Sequence, residues 1–247
     1  MKKIPKKIDV TFVLDSTGGM MPFFEAFAGE IGTLYTRVSE LYASAGKRLA
    51  SLRANFIDFG DFASDGDDTI HASGFFDMAT ETDKAVEHVS NVNCLYRGGD
   101  LPENALEALY CALLSDWTPS TEDDPCFHYV VLVTDADWVP LGARAGCVGY
   151  PADFFPADLE ELEAIWNEQT PADGAEKKSH ISSEFRRLLL FVPDTPKWRA
   201  LCDWEYSCTY FVPMASGQAM MYCEVTYQLI KMIGCEMERY SDGTCDD

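Results

Sequence analysis

Two apolar runs, each closed by an aspartate, hold the residues with the most chemical promise. Asp9 to Leu14 (DVTFVL) stops at Asp15, and His128 to Thr134 (HYVVLVT) stops at Asp135. Both runs read as strands covered on their two faces. In an open parallel sheet, ligands collect beyond the carboxyl ends of the strands, where the strand order reverses. If these two strands are neighbours there, their backbones lie about 5 Å apart and both carboxylates face one crevice. Such a pair repels unless a cation or a proton sits between its members. Ser16 and Thr17 add hydroxyl oxygens, and Asp100, after Gly98-Gly99, offers a third carboxylate on a flexible loop. These are hard oxygen donors with no sulfur or imidazole nearby in sequence, which points to Mg²⁺, with Mn²⁺ or Ca²⁺ as substitutes. Either aspartate alone also reads as a helix cap.

Other chemistries find less support. His71, His88, His128 and His180 show no i,i+4 pair and no cysteine at zinc spacing, so zinc is set aside. The nine cysteines form no Cys-x-x-Cys, and Cys94, Cys111, Cys202, Cys223 and Cys235 sit in apolar stretches, as buried reduced thiols would. A Mg²⁺-dependent phosphohydrolase with an aspartyl nucleophile is the enzymatic alternative. Such an enzyme wants a second aspartate two residues on, where Thr17 stands, and the chain has neither a Gly-Lys-Ser/Thr phosphate loop nor a Gly-x-Ser-x-Gly elbow. A structural subunit with a degenerate metal site is a further alternative.

The elements that must position these residues alternate. Phe24, Phe27, Ile31, Leu34 and Val38 mark a long amphipathic helix from Met20 to about Ala45. Residues 54–59 and 74–78 read as strands, 83–92 as a helix capped by Thr82, and Pro102 as the first residue of another helix. Strands over 188–192 and 208–212 and a helix over 225–237 follow. The pattern predicts an α/β fold: a doubly wound, mostly parallel six-stranded sheet with helices on both faces and one short antiparallel edge strand. One domain over 1–238 accounts for the chain, with an insertion at about 138–184 carrying a helix near 158–168, and a disordered tail at 239–247.

Composition narrows the partners. At 247 residues, with 47% hydrophobic and 24% charged, the chain can bury a core. A net charge of -22 repels nucleic acid and anionic lipid, so neither is an expected partner. No apolar window is long enough to span a bilayer, and the basic start Met1–Lys7 runs straight into a strand, which predicts a cytoplasmic protein.

Four segments in order carry a family resemblance. Asp15-Ser16-Thr17-Gly18-Gly19-Met20 resembles the first motif of von Willebrand factor type A domains, DSTGSM in intracellular members. Ile57-Asp58-Phe59-Gly60-Asp61, Gly98-Gly99-Asp100-Leu101-Pro102-Glu103 and Val131–Ala136 are similar to later segments of bacterial members. The resemblance implies a metal-ion-dependent adhesion site of Asp15, Thr17, Asp100 and Asp135, whose Mg²⁺ is completed by an acidic side chain of a partner protein. It implies a non-catalytic interaction module in a bacterial regulatory or stress and defence system. Gly19 departs from the family's ligand serine, and Asp100 replaces a threonine of extracellular members. Met20, Met21, Phe23 and Trp138 are the expected partner-binding rim, with a core role for at least one of Phe23 and Phe24 and a place in the lid of the insertion for Trp138 as the alternatives.

Overall fold

The computed structural model describes residues 4–94, 98–99, 102–151, 153–168, 180–181, 184–215, 217–220 and 224–242. Its centre is β1 (Lys7–Asp15), which pairs in parallel with β2 (Ser51–Phe59) on one side and β5 (Cys126–Val133) on the other. Beyond β5 lie β6 (Arg186–Pro193) and β7 (Ser207–Val212), also parallel. Two short antiparallel pieces, β3 (Ile70–Ala72) and β4 (Phe76–Asp77), pair with β2. The order β3-β2-β1-β5-β6-β7 leaves β1 and β5 adjacent where the chain changes its direction of winding. The sheet thus has seven strands, not six, and the single strand expected at 74–78 is replaced by two pieces too short to show alternation.

Alternation along β1 sorts its side chains between two cores. Ile8, Val10, Phe12 and Leu14 join one cluster, covered by α1 (Met21–Ser44), α3 (Thr82–Ser90) and α8 (Val225–Asp242). Val13 joins the other, beneath α4 (Ala105–Leu113), α5 (Leu159–Trp166) and α6 (Pro196–Cys202). Asp9, Thr11 and Asp15 alternate with the first set and are buried. Burying Asp9 is tolerable because Arg53 contacts both of its oxygens, at 3.0 and 2.6 Å, and the Thr118 amide donates at 2.6 Å.

Helix starts differ from the expected ones by a few residues. Pro102 precedes α4, which opens at Ala105, because Glu103 is held in an isolated bridge to Trp138. Thr82 is the first residue of α3 and Glu81 its cap. The helix α8 runs to Asp242, so only 243–247 of the expected tail lie outside the described residues.

The segment after β5 packs against the domain. Arg144 binds both oxygens of Asp61, at 2.8 and 2.9 Å, and Tyr150 stacks edge-on with Phe62, the first residue of α2 (Phe62–Asp65), at 5.0 Å. Gly149, at φ +78°, lies so close that an added Cβ would stand 2.7 Å from the Asp67 amide nitrogen. The described cysteines are free thiols. Cys94 is buried, whereas Cys235 is exposed and Cys223 lies outside the described residues. No helix among the described residues is long and apolar enough to cross a membrane.

Candidate functional site

Asp15 and Asp135 end up at the carboxyl ends of adjacent strands, since Leu14 pairs with Val133. Both are buried. Asp15 turns its Oδ1 back on its own loop and accepts from the Thr17 amide at 2.9 Å and the Thr17 hydroxyl at 2.7 Å. Its Oδ2 accepts from the Thr134 hydroxyl at 2.6 Å. Ser16 is directed the other way, its amide and hydroxyl both donating to the Phe59 carbonyl at 2.8 and 3.0 Å. The local fold follows from residue type, because short hydroxyl and carboxylate side chains close turns on their own backbone.

Gly18–Met20 forms one 3₁₀ turn that leads into α1. A Cβ on Gly19 would lie 3.7 Å from Asp135 Oδ2, so this missing side chain borders the second carboxylate. Gly217, in the short helix α7 (Gly217–Met220), rests directly on the Gly19 peptide, and any Cβ there would overlap the Gly19 carbonyl. The Ala215 amide donates to the Asp135 carbonyl at 2.8 Å. Ala215 holds φ +52°, a left-handed conformation costing about 1–2 kcal/mol for a residue with a Cβ. Strain of this kind collects at functional surfaces.

Asp100 lies outside the described residues. Its neighbours Gly98 and Gly99 thread between the rim and α2. A Cβ on Gly98 would stand 2.6 Å from Thr17 Cγ2, and one on Gly99 would overlap the Ser64 hydroxyl. The Gly98 amide donates to both oxygens of Asp65, at 3.0 and 3.1 Å. Among the four rim residues, Met20 and Phe23 are core residues, 0% and 2% exposed, whereas Met21 is 38% exposed. Trp138 is half-buried beneath Lys197, whose ammonium lies 5.2 Å from the ring centroid and donates to the Trp138 carbonyl. Met214, 47% exposed and next to Ala215, extends the surface beside Asp135. Sequence reasoning missed Thr134, Ala215, Gly217 and Met214. Thr134 alone carried a signal, as a hydroxyl preceding a strand-end aspartate.

By donor type, Asp15, Thr17 and Asp135 suit a hard divalent cation, but Gly19 brings no oxygen. Among the described residues, the one group of three or more His, Cys, Asp or Glu donors within 4.8 Å of each other is elsewhere: Asp9, Cys126 and His128.

No family model and no curated protein matches the sequence. The fold is similar to the PilB minor pilin from Streptococcus sanguinis, at 15% identity and a TM-score of 0.52, over 94% of this chain and 62% of that one. It is equally similar to the pilus adhesin SpaC from Lactobacillus rhamnosus GG, at 11% identity and a TM-score of 0.52, over 94% of this chain and 31% of that one. The chain thus spans less than two thirds of either. At these identities the likeness is one of fold. The comparisons return pilus proteins in place of the von Willebrand factor type A family, which overturns that assignment and the metal-dependent adhesion module inferred with it. The motif residues also have a local use, since Asp15 and Thr17 close their turn on each other. The cytoplasmic placement is likewise at odds with these neighbours, a minor pilin and a pilus adhesin.

Proposed function

We propose that the chain is a non-catalytic protein-binding domain of pilin- and adhesin-like fold, whose partner sits on the rim at the carboxyl ends of β1 and β5. The observation that carries this reading is the exposure of Met21 and Met214 around two buried carboxylates and a strained Ala215. Exposed apolar side chains framing a polar centre are the anatomy of a recognition surface. Likeness in fold to a minor pilin and a pilus adhesin supports the same reading. A nucleophilic role for Asp15 is disfavoured, because the side chain is fully buried and both oxygens accept hydroxyl hydrogen bonds. Mg²⁺ is proposed as the ion for Asp15, Thr17, Asp135 and Asp100, and partner binding does not rely on it.

The test is site-specific photo-crosslinking in cells that make the full chain. A crosslinker at Met21 or Met214 should trap one discrete protein that a crosslinker at Lys84, on the exposed side of α3, does not. Identical products from all three positions overturn the proposal.

A further inference from the structure

Strand alternation puts the side chains of Cys126 and His128 on one face of β5, and the register of the sheet sets Asp9 of β1 beside His128. All three are buried, and one donor atom from each lies within 4.8 Å of the other two. The group stands at the amino ends of the two strands, at the opposite end of the sheet from the rim. Its surroundings fix the donors. The loop between α4 and β5 serves two of them through one residue: the Thr118 amide donates to Asp9 Oδ2 at 2.6 Å, and the Thr118 carbonyl accepts from His128 Nε2 at 2.9 Å. A carbonyl only accepts, so Nε2 carries the proton and Nδ1 bears the lone pair of the neutral ring. Trp117 covers that ring, with 5.1 Å between centroids. Arg53 of β2 holds both oxygens of Asp9, at 3.0 and 2.6 Å.

We propose that Asp9, Cys126 and His128 form a closed, structural site for a zinc-class divalent cation. Carboxylate, thiolate and imidazole are ordinary zinc ligands at about 2.0–2.3 Å, and tetrahedral bonds of that length put donor atoms about 3.3–3.8 Å apart. Pairs within 4.8 Å therefore need a contraction of at most about 1.5 Å. A ligating histidine ordinarily gives its other N–H to a carbonyl or carboxylate, and a ligating carboxylate is itself hydrogen-bonded. Thr118 and Arg53 meet both conditions. The charges also balance. Binding releases the Cys126 thiol proton to solvent, so Asp9 and the thiolate offset the ion. Arg53 stays charged beside Asp116, whose carboxylate acts on it and whose carbonyl accepts from it at 2.9 Å. Three protein ligands leave the fourth tetrahedral position to a water. Because the three side chains are sealed from solvent, the ion enters as the chain folds. The Cys126-Phe127-His128 interval suits a strand and not a helical turn, so a search for i,i+4 pairs passes over it. The site is independent of the partner-binding reading.

The experiment refolds the full chain from urea with Co²⁺ or Zn²⁺, removes loose metal by gel filtration and reads the retained ion. Wild type should show tetrahedral d–d bands and a sulfur-to-cobalt charge-transfer band. With zinc, X-ray absorption should find one sulfur at about 2.3 Å among nitrogen and oxygen at about 2.0 Å. Cys126→Ser should remove the charge-transfer band. His128→Gln and Asp9→Asn should each weaken binding by at least about a hundredfold, with circular dichroism showing the variants folded. Asp15→Asn should retain the ion; its loss there places the ion at the rim and overturns the proposal. So does the absence of a retained ion, a shell without sulfur, or a charge-transfer band that survives in folded Cys126→Ser. The absorption shell is read on wild type, so the test decides even where a buried substitution prevents folding.

Discussion

The Thr134 hydroxyl donates to Asp15 Oδ2 at 2.6 Å, joining the end of β1 to the residue that follows β5. Both groups are buried, and the acceptor is a carboxylate, so the bond is of the charge-assisted kind. Thr134→Val keeps the shape and deletes the donor. We expect a loss of about 1.5–3 kcal/mol in urea unfolding, with no change in the slope against denaturant. A loss below about 0.5 kcal/mol, the range of ordinary surface substitutions, would show that water replaces the hydroxyl and that the rim is open.

Glu107 sets a pH dependence. It is fully buried on α4, where desolvation pushes its carboxyl up to about 7, against the nearby Asn104 amide and the Tyr150 hydroxyl, which donates to Oε1 at 3.2 Å, both acting the other way. The unfolded chain ionises this group near 4.5, so its contribution to stability is complete below that pH and declines as pH rises towards 7. The full loss is about 3 kcal/mol. Glu107→Gln should flatten the stability difference between pH 5 and pH 8 relative to wild type, as read by chemical denaturation. Equal slopes in the two proteins would refute the shift.

Arg187 and Glu236 form a buried ion pair between β6 and α8, with side chains 7% and 6% exposed. Glu236→Leu leaves the guanidinium uncompensated and should cost about 3–5 kcal/mol, whereas Arg187→Met added to Glu236→Leu should recover most of that loss. Thermal unfolding of the two single variants and the double variant forms the cycle. Additive losses would mean that the two residues do not share a stabilising contact.

If Mg²⁺ occupies the Asp15–Asp135 crevice, it stabilises the fold by about 2.7 kcal/mol at a hundred times its dissociation constant. Calorimetry with and without chelator should show the rise in Tm for wild type and none for Asp135→Asn. A flat wild-type response removes the ion and leaves the partner surface as proposed.

Much of the frame was legible because the decisive signals are local. DVTFVL and HYVVLVT are unbroken apolar runs, and their closing aspartates marked the adjacent strand ends before any coordinates. The stripe of α1 was equally readable. Burial of Met20 was not, since it depends on the 3₁₀ turn at Gly18–Met20 and on α7 lying over it, a contact between segments nearly two hundred residues apart. β3 and β4 are three and two residues long, below the length at which a period can be seen. α6 did carry its signal, Thr195 as cap and Pro196 at the first turn, and was overlooked. His71 and His88 line one cavity because β3 turns back along β2, which no spacing rule encodes.

Gly98 and Gly99 have Thr17 on one flank and Ser64 on the other, with no room for a side chain towards either. They form a partition one peptide thick between the turn that ends β1 and the helix α2. A wall that thin cannot lean towards one flank without giving ground on the other, so a side chain at either glycine would disturb both.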